Sequence, residues 1–348
     1  MSSADDRLIS TTTMSTKIVW KPLEEEENKK FNELWGDKST LRDSIISIPH
    51  KVLMPRYYQS IAERILNFKV RPDDIWIITY PKCGTTWTQE IVWHIMNDVN
   101  KELGKLPLFA RSPFLEFQGI HGHENSPANN FPTMDAKQAA MIRRIFDESI
   151  DMTDNLPSPR IIKSHMPFEL LPKELLDTAK VIYVCRNPKD TCVSFFYHIS
   201  DALEGTYEYK GDFDQFIDCF MDGKVEYGSY FDHLKSGWKR RNHPNMKFIW
   251  YEDMRKNSLK EVSDIASFVN HPLSEAKIEE LVEHLKFSNM KERATKESAN
   301  AKSKGLSKFF RKGEVGDWKN HFKGDKLKRW DDWIAKNLEG SDIEFKFE

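Results

Sequence analysis

Cysteine is scarce in this chain of 348 residues: Cys83, Cys185, Cys192 and Cys219 are the whole complement, and none falls in a C-x-x-C pair. Four scattered thiols cannot staple a chain of this size, so free thiols in a reducing compartment are expected. No Asn is followed two residues later by Ser or Thr, which leaves no acceptor for N-linked sugar. The opening residues MSSADDRLIS lack a basic stretch leading into an apolar one, and no apolar run approaches the length of a membrane span. These absences point to a cytoplasmic protein. An excess of one charge is missing too: 52 Lys and Arg face 54 Asp and Glu, which excludes a global attraction to nucleic acid or anionic membrane. Any anion site must therefore be local. With only 15 Gly and 16 Pro against 39% hydrophobic residues, a disordered or collagen-like chain is excluded as well. No repeat at a fixed period is found, and WDDW at 330–333 is an isolated string.

What is present is a recurring strand, tight loop and helix. Ile75 to Ile78 form a short apolar run between Pro72 and Pro81, as in a strand buried on both faces. A helix is expected after Gly84, with Ile91, Val92, Ile95 and Met96 at helical spacing and Lys101 and Gly104 marking its end. VIYV within Lys180 to Val184 runs into Arg186-Asn187-Pro188 and a segment with Val193, Phe196 and Tyr197. MKFIWY, from Met246 to Tyr251, precedes a helix with Leu259, Val262, Ile265 and Phe268. This alternation predicts an α/β fold with a central, mostly parallel sheet flanked by helices, and ligands beyond the carboxyl ends of the strands.

Residues 1–40 carry polar runs with isolated Trp20 and Trp35 and read as an appended, partly mobile arm, leaving 41–348 as the domain. An interruption at about 119–159 begins as the loop HGHENSPANNFP and continues as an amphipathic helix. Ala139, Ile142, Phe146 and Ile150 share its apolar face, and Asp135 and Gln138 are placed to cap it. It reads as a flap. Its His121 and His123, without a third ligand, read as solvated surface rather than a metal site.

Chemistry concentrates at four places. Thr79-Tyr80-Pro81-Lys82-Cys83-Gly84-Thr85-Thr86-Trp87 lies between the first buried strand and its helix, where unpaired backbone N–H groups and the helix dipole suit a phosphate. Gly84 allows close approach, Thr85 and Thr86 add hydroxyls, and Lys82 adds charge. The order differs from the nucleotide-triphosphate loop, in which Lys follows the second Gly. Taken singly, Thr85 is a helix cap and Lys82 a solvated charge; taken together, they favour a phosphate. Arg186, at another strand end, offers a guanidinium fork, and Ser194 on the following helix offers a small donor. Alone, Arg186 would pair with Asp190. Phe310-Arg311-Lys312-Gly313 reads as a third anion loop. His165, in Lys163-Ser164-His165-Met166-Pro167, is a candidate general base at a strand end, although a lone His is more often structural.

Together YPKCGTTW, KSHMP, CRNPKDTCVSF, YEDM and RKGEVGDWKN resemble the cytosolic sulfotransferases, in order and at compatible separations from about Asp73 to Phe322. GDWK and SPFLEF look closest to arthropod members. The resemblance implies a single α/β domain with a P-loop-like phosphosulfate-binding loop for the sulfate donor PAPS (3′-phosphoadenosine 5′-phosphosulfate), with PAP as product and no metal required. It implies that Lys82, Cys83, Gly84, Thr85, Thr86 and Trp87 form that loop, with Trp87 stacked on adenine. Arg186, Ser194, Arg311, Lys312 and Gly313 match the 3′-phosphate site, Tyr251 and Phe287 the adenine contacts, and Leu285 and Phe310 are further cofactor-binding positions. His165 matches the base, with Lys163 and Lys82 at the transferring group, and Phe109, Phe114 and Phe117 match the acceptor pocket.

Cys83 stands where the family usually has Ser, and Leu285 where many members have Thr. The family dimer signature reads here Lys319-Asn320-His321-Phe322-Lys323-Gly324, ending at Lys328, which predicts a monomer or a dimer through another surface. The long 119–159 interruption resembles one in the insect retinol-dehydrating member. The implied reaction is sulfuryl transfer to a hydroxyl of a small, largely apolar acceptor. Sulfonation followed by elimination, and a non-catalytic binding protein on the same fold, stay open. A P-loop kinase would need the Gly-Lys-Ser/Thr order that this loop lacks.

Overall fold

The computed structural model describes residues 17–121, 136–202, 204–300 and 309–348. Its first element is a small antiparallel sheet in the order β1 (Val19–Pro22), β2 (Ile45–Ile48), β3 (Leu53–Met54), which the sequence reading does not anticipate. From residue 17 onward the chain is therefore packed into the body rather than appended to it. Trp20 meets Tyr58 edge-on at 4.9 Å, while Trp35 is fully buried against Phe31, Tyr207 and Tyr209. Residues 1–16 lie outside the described residues.

The main sheet is parallel throughout, in the order β5 (Ile161–Ser164), β4 (Ile75–Thr79), β6 (Lys180–Cys185), β7 (Met246–Trp250). All five positions of β4 are buried, because its alternate side chains enter two different cores. Trp76 and Ile78 join Ile162, Val181 and Tyr183 on one face. Ile75 and Ile77 join Ile182, Val184 and Ile249 on the other, under helices Thr85–Met96 and Ser258–Phe268. Each such buried aliphatic contributes roughly 1.5–3 kcal/mol.

The amino ends of β4 and β5 are tied by a bidentate pair, Arg160 Nε to Asp74 Oδ1 (2.7 Å) and Nη2 to Oδ2 (2.6 Å), with both side chains fully buried. Removing one partner would leave the other charge buried, at a cost of about 3–5 kcal/mol. The opposite, carboxyl ends of β4, β5 and β6 carry the loops with the predicted chemistry.

Two boundaries differ from expectation. The helix after Gly84 stops at Met96 rather than near Gly104, because Asp98 and Val99 take φ of 52° and 62° and reverse the chain; only a short turn follows at Leu103–Lys105. The flap helix spans Ala136–Asp147, and Ile150 falls in a second helix, Ser149–Asp154. Ile145 and Ile150 are buried and Ile142 and Phe146 half-buried, so an apolar face does pack inward. His123, Asp135 and the side chains of Gln138 and Ala139 lie outside what is described.

Candidate active site

Parallel pairing sets the geometry around His165. β4 and β5 run in register with Ile78 opposite Ser164, so the next residues, Thr79 and His165, emerge side by side. His165 Nδ1 lies 2.8 Å from the Thr79 carbonyl and 3.1 Å from its Oγ1, and Thr79 Oγ1 lies 2.7 Å from Thr85 Oγ1. A carbonyl can only accept, so Nδ1 carries the proton and Nε2 presents a lone pair. Burial, with Lys163 nearby, holds the imidazole pKa well below its ordinary value and keeps the ring neutral. A neutral, fixed imidazole whose Nε2 has no hydrogen-bond partner among the described residues is suited to taking a proton. Phe114 and Tyr227 pack edge-on against it at 5.2 and 5.3 Å.

The loop after β4 supplies the first cation. Lys82 adopts φ 69° and Gly84 φ 102°, and a Cβ on Gly84 would lie 2.6 Å from the Tyr251 ring, so the turn requires glycine on both counts. Gly84 thereby starts the helix carrying Thr85, Thr86 and Trp87. Burial lowers the Lys82 pKa to about 7, with Lys163, Arg186 and Arg311 adding repulsion. The Lys82 ammonium stands 3.8 Å over the Phe309 ring. Four cations thus converge on one place, an arrangement that an anion would relieve.

Arg186, at the end of β6, joins the other loops. Its Nη2 donates to the Glu314 carbonyl (2.8 Å) and its Nη1 to that of Lys82 (3.4 Å), while the guanidinium lies 4.6 Å over the Tyr251 ring. The expected pairing with Asp190 is long, at 3.9 Å, and the buried Nε has no partner among the described residues. Tyr251 donates to the Gly313 carbonyl at 3.2 Å. Gly313 has φ 67° and its Cβ position would fall 2.2 Å from the Phe287 ring. Trp87 meets Tyr251 edge-on at 5.9 Å, and Phe287 meets Phe310 at the same separation. Ser194 is half-buried on helix Pro188–Tyr197.

Some expected contacts are placed otherwise. Cys83 is fully buried, its thiol 3.6 Å from Thr191 Oγ1 and its pKa raised to about 12 by burial, so its side chain packs the loop from within. Leu285 is likewise a core residue, 1% exposed. Arg311 and Lys312 both hold Asp317, at 2.6 and 2.5 Å, a carboxylate the sequence reading passes over. Phe114 and Phe117 stack at 5.4 Å and Phe146 of the flap helix adds a third ring at 4.9 Å from Phe117, but Phe109 is 38% exposed and outside that stack. His121, expected on the surface, is buried against Phe117 and Phe146, and burial lowers its pKa to about 4.

Around Lys163 stand residues the sequence reading misses. Its ammonium lies 3.7 Å over the Phe114 ring, and burial brings its pKa down to about 8 although Glu116 and Glu226 pull upward. Burial raises both of those carboxyls to about 7. Glu226 accepts from the Tyr207 hydroxyl at 2.5 Å. His198, near Lys82 and Lys163, is pushed well below its ordinary pKa, first by burial. The one signal available was a lone acid inside the apolar string Phe114-Leu115-Glu116-Phe117.

Residues 72–342 match the family model for the sulfotransferase domain. Sulfotransferase 1A1 of Rattus norvegicus is 34% identical over 301 residues, covering 84% of this chain and 94% of the relative. Among solved structures, retinol dehydratase in complex with androsterone and the inactive cofactor PAP superposes with a TM-score of 0.83 at 28% identity, over 94% of this chain and 98% of the other. The same enzyme in a complex with retinol and PAP gives the same score and identity, over 94% and 99%.

Proposed function

Because the chain belongs to the sulfotransferase family and is a PAPS-dependent sulfotransferase, we propose that it sulfonates a hydroxyl on a small, largely apolar acceptor. The observation that carries this reading is the neutral His165, its Nε2 unpaired among the described residues, set between the converging cations and the Phe114–Phe117–Phe146 rings. Bound PAPS supplies the sulfuryl group. His165 takes the acceptor's hydroxyl proton at Nε2, and Lys82 and Lys163 balance negative charge at the transfer point. Arg186, Arg311, Lys312 and Ser194 hold the 3′-phosphate, and the backbone of 82–86 with Thr85 and Thr86 holds the 5′ end. Trp87, Tyr251 and Phe287 flank the adenine. Exclusion of water by the flap helix protects the transfer.

The likeness to a retinol dehydratase favours a second outcome on the same site: the sulfate ester of an allylic alcohol leaves, giving net dehydration. It also supports the retinoid and steroid end of the acceptor range. Four buried free thiols support a reducing, cytoplasmic setting. No helix among the described residues is long and apolar enough to cross a membrane. Phe322, which sits in the family's pairing segment, is buried against Phe213 and Trp330, so it offers no ring to a second copy and supports a monomer or another dimer surface. A screen of phenols, sterols and retinoids with labelled PAPS, with products identified by mass spectrometry, tests the reading. Label transfer or PAP release is expected with a polycyclic or polyene alcohol; absence of both across the panel, in protein that binds PAP, would overturn it.

A further inference from the structure

We propose that Glu116 is a positioning residue that fixes His165, and with it the register between the base and the acceptor-pocket wall. The inference rests on reading His165 as the base. β5 ends at Ser164, so the N–H of His165 is the first amide beyond the strand. Glu116 Oε1 takes that N–H at 2.6 Å and the Ser164 hydroxyl at 3.1 Å. Glu116 is fully buried and His165 is 7% exposed, so water is poorly placed to substitute for either bond.

Two further bonds complete the hold on His165. The Thr79 carbonyl accepts from Nδ1, and His233 Nε2 donates to the His165 carbonyl at 3.0 Å. Backbone amide, ring and backbone carbonyl are each held by a different part of the chain. A ring clamped in this way loses little freedom when the acceptor arrives, and its Nε2 stays on one line of approach.

Glu116 is also well anchored itself. Phe114 forms a single parallel bridge with Lys163 at the outer edge of β5, through Leu115 N–H to the Lys163 carbonyl (3.0 Å) and Lys163 N–H to the Pro113 carbonyl (2.9 Å). The acid that grips His165 therefore sits between Phe114 and Phe117, the two stacked rings proposed to touch the acceptor. Moving Glu116 would shift base and pocket wall relative to each other, a displacement that lowers turnover rather than donor binding.

Two conservative variants separate reach from charge. Glu116→Gln keeps an oxygen at the same distance without an ionisable carboxyl, and Glu116→Asp keeps the carboxyl but withdraws it by one methylene. Expected is a kcat within about threefold of wild type for the Gln variant. The Asp variant should lose about 10- to 100-fold, with PAP affinity by calorimetry within twofold for both. An Asp variant within threefold of wild-type kcat, a Gln variant as impaired as Asp, or an Asp loss matched by equal loss of PAP affinity would each overturn the proposal. His165→Ala is assayed in parallel. Sustained turnover there overturns the base itself, whereas its collapse beside an unaffected Glu116→Asp overturns only the positioning role.

Discussion

The two sides of the site differ in what they bring to a ligand. The loops after β4 and β6, with the segment at 310–313, bring Lys82, Arg186 and Arg311, whose charges repel one another, and Lys312, which is paired with Asp317. The side formed by 113–121, the flap helix and the end of β5 brings stacked rings, the buried carboxyl of Glu116 beside Lys163, and a neutral imidazole. A cation cluster binds any suitably spaced anion and changes little with the acceptor. An aromatic wall with one fixed base discriminates by shape and acts only on a proton held in line. Donor affinity and turnover should therefore respond to different mutations.

The largest test of that separation is His165→Ala. A positioned base contributes about 10²–10⁴-fold in rate, so kcat should fall by that order while PAP affinity stays near wild type. Steady-state kinetics beside calorimetry measure both; a parallel loss of PAP affinity would merge the two sides.

Arg186→Ala is the converse. A charge-assisted contact to phosphate is worth on the order of 1.5–3 kcal/mol, so PAP affinity should drop roughly 10- to 150-fold with acceptor KM little changed at saturating donor. Because Arg186 also holds the Glu314 and Lys82 carbonyls, a thermal melt is needed to show that the loops stay folded. Unchanged PAP affinity would remove Arg186 from the site.

A pH dependence sharpens the contrast further. With Lys82 lowered to about 7 and Lys163 to about 8, the free enzyme loses positive charge as pH rises through this range. A bound anion favours the charged ammonium and raises its pKa, so PAP binding at pH 8 should take up a proton, and affinity should weaken by up to about tenfold per pH unit for each ammonium. Calorimetry in two buffers of different ionisation enthalpy reads this directly. His165, already neutral in this range, adds nothing to it, so absence of uptake would mean that neither lysine meets the anion.

The smallest effect is expected at the flap. Phe146→Ala removes one ring from the stack on Phe117, and an aromatic pair is worth about 0.5–1.5 kcal/mol beyond its buried area. Acceptor KM should rise several-fold while PAP affinity holds. Equal changes in both would place the flap helix over the donor instead.

Much of this design follows from local sequence. Ile75–Thr79 read as a strand covered on both faces, and the Lys–x–Gly–Thr–Thr run at its carboxyl end as a tight turn into a helix, with an anion favoured by those residues taken together. Lys82, Lys163 and Arg186 were legible together because strand ends in a parallel sheet share one edge, whatever the spacing between them. The small sheet formed by β1 to β3 was not legible: two strands of four residues and one of two carry too little alternation to register as strands. Nor could spacing show that Cys83 and Leu285 point into the core, because a loop or cap side chain is aimed by the backbone around it. Glu116 shows the limit most plainly. In the sequence it is one acid among many, 49 residues from His165. It takes the His165 amide only because Phe114 bridges Lys163 at the edge of β5, and its pKa rises only because folding removes water from around it.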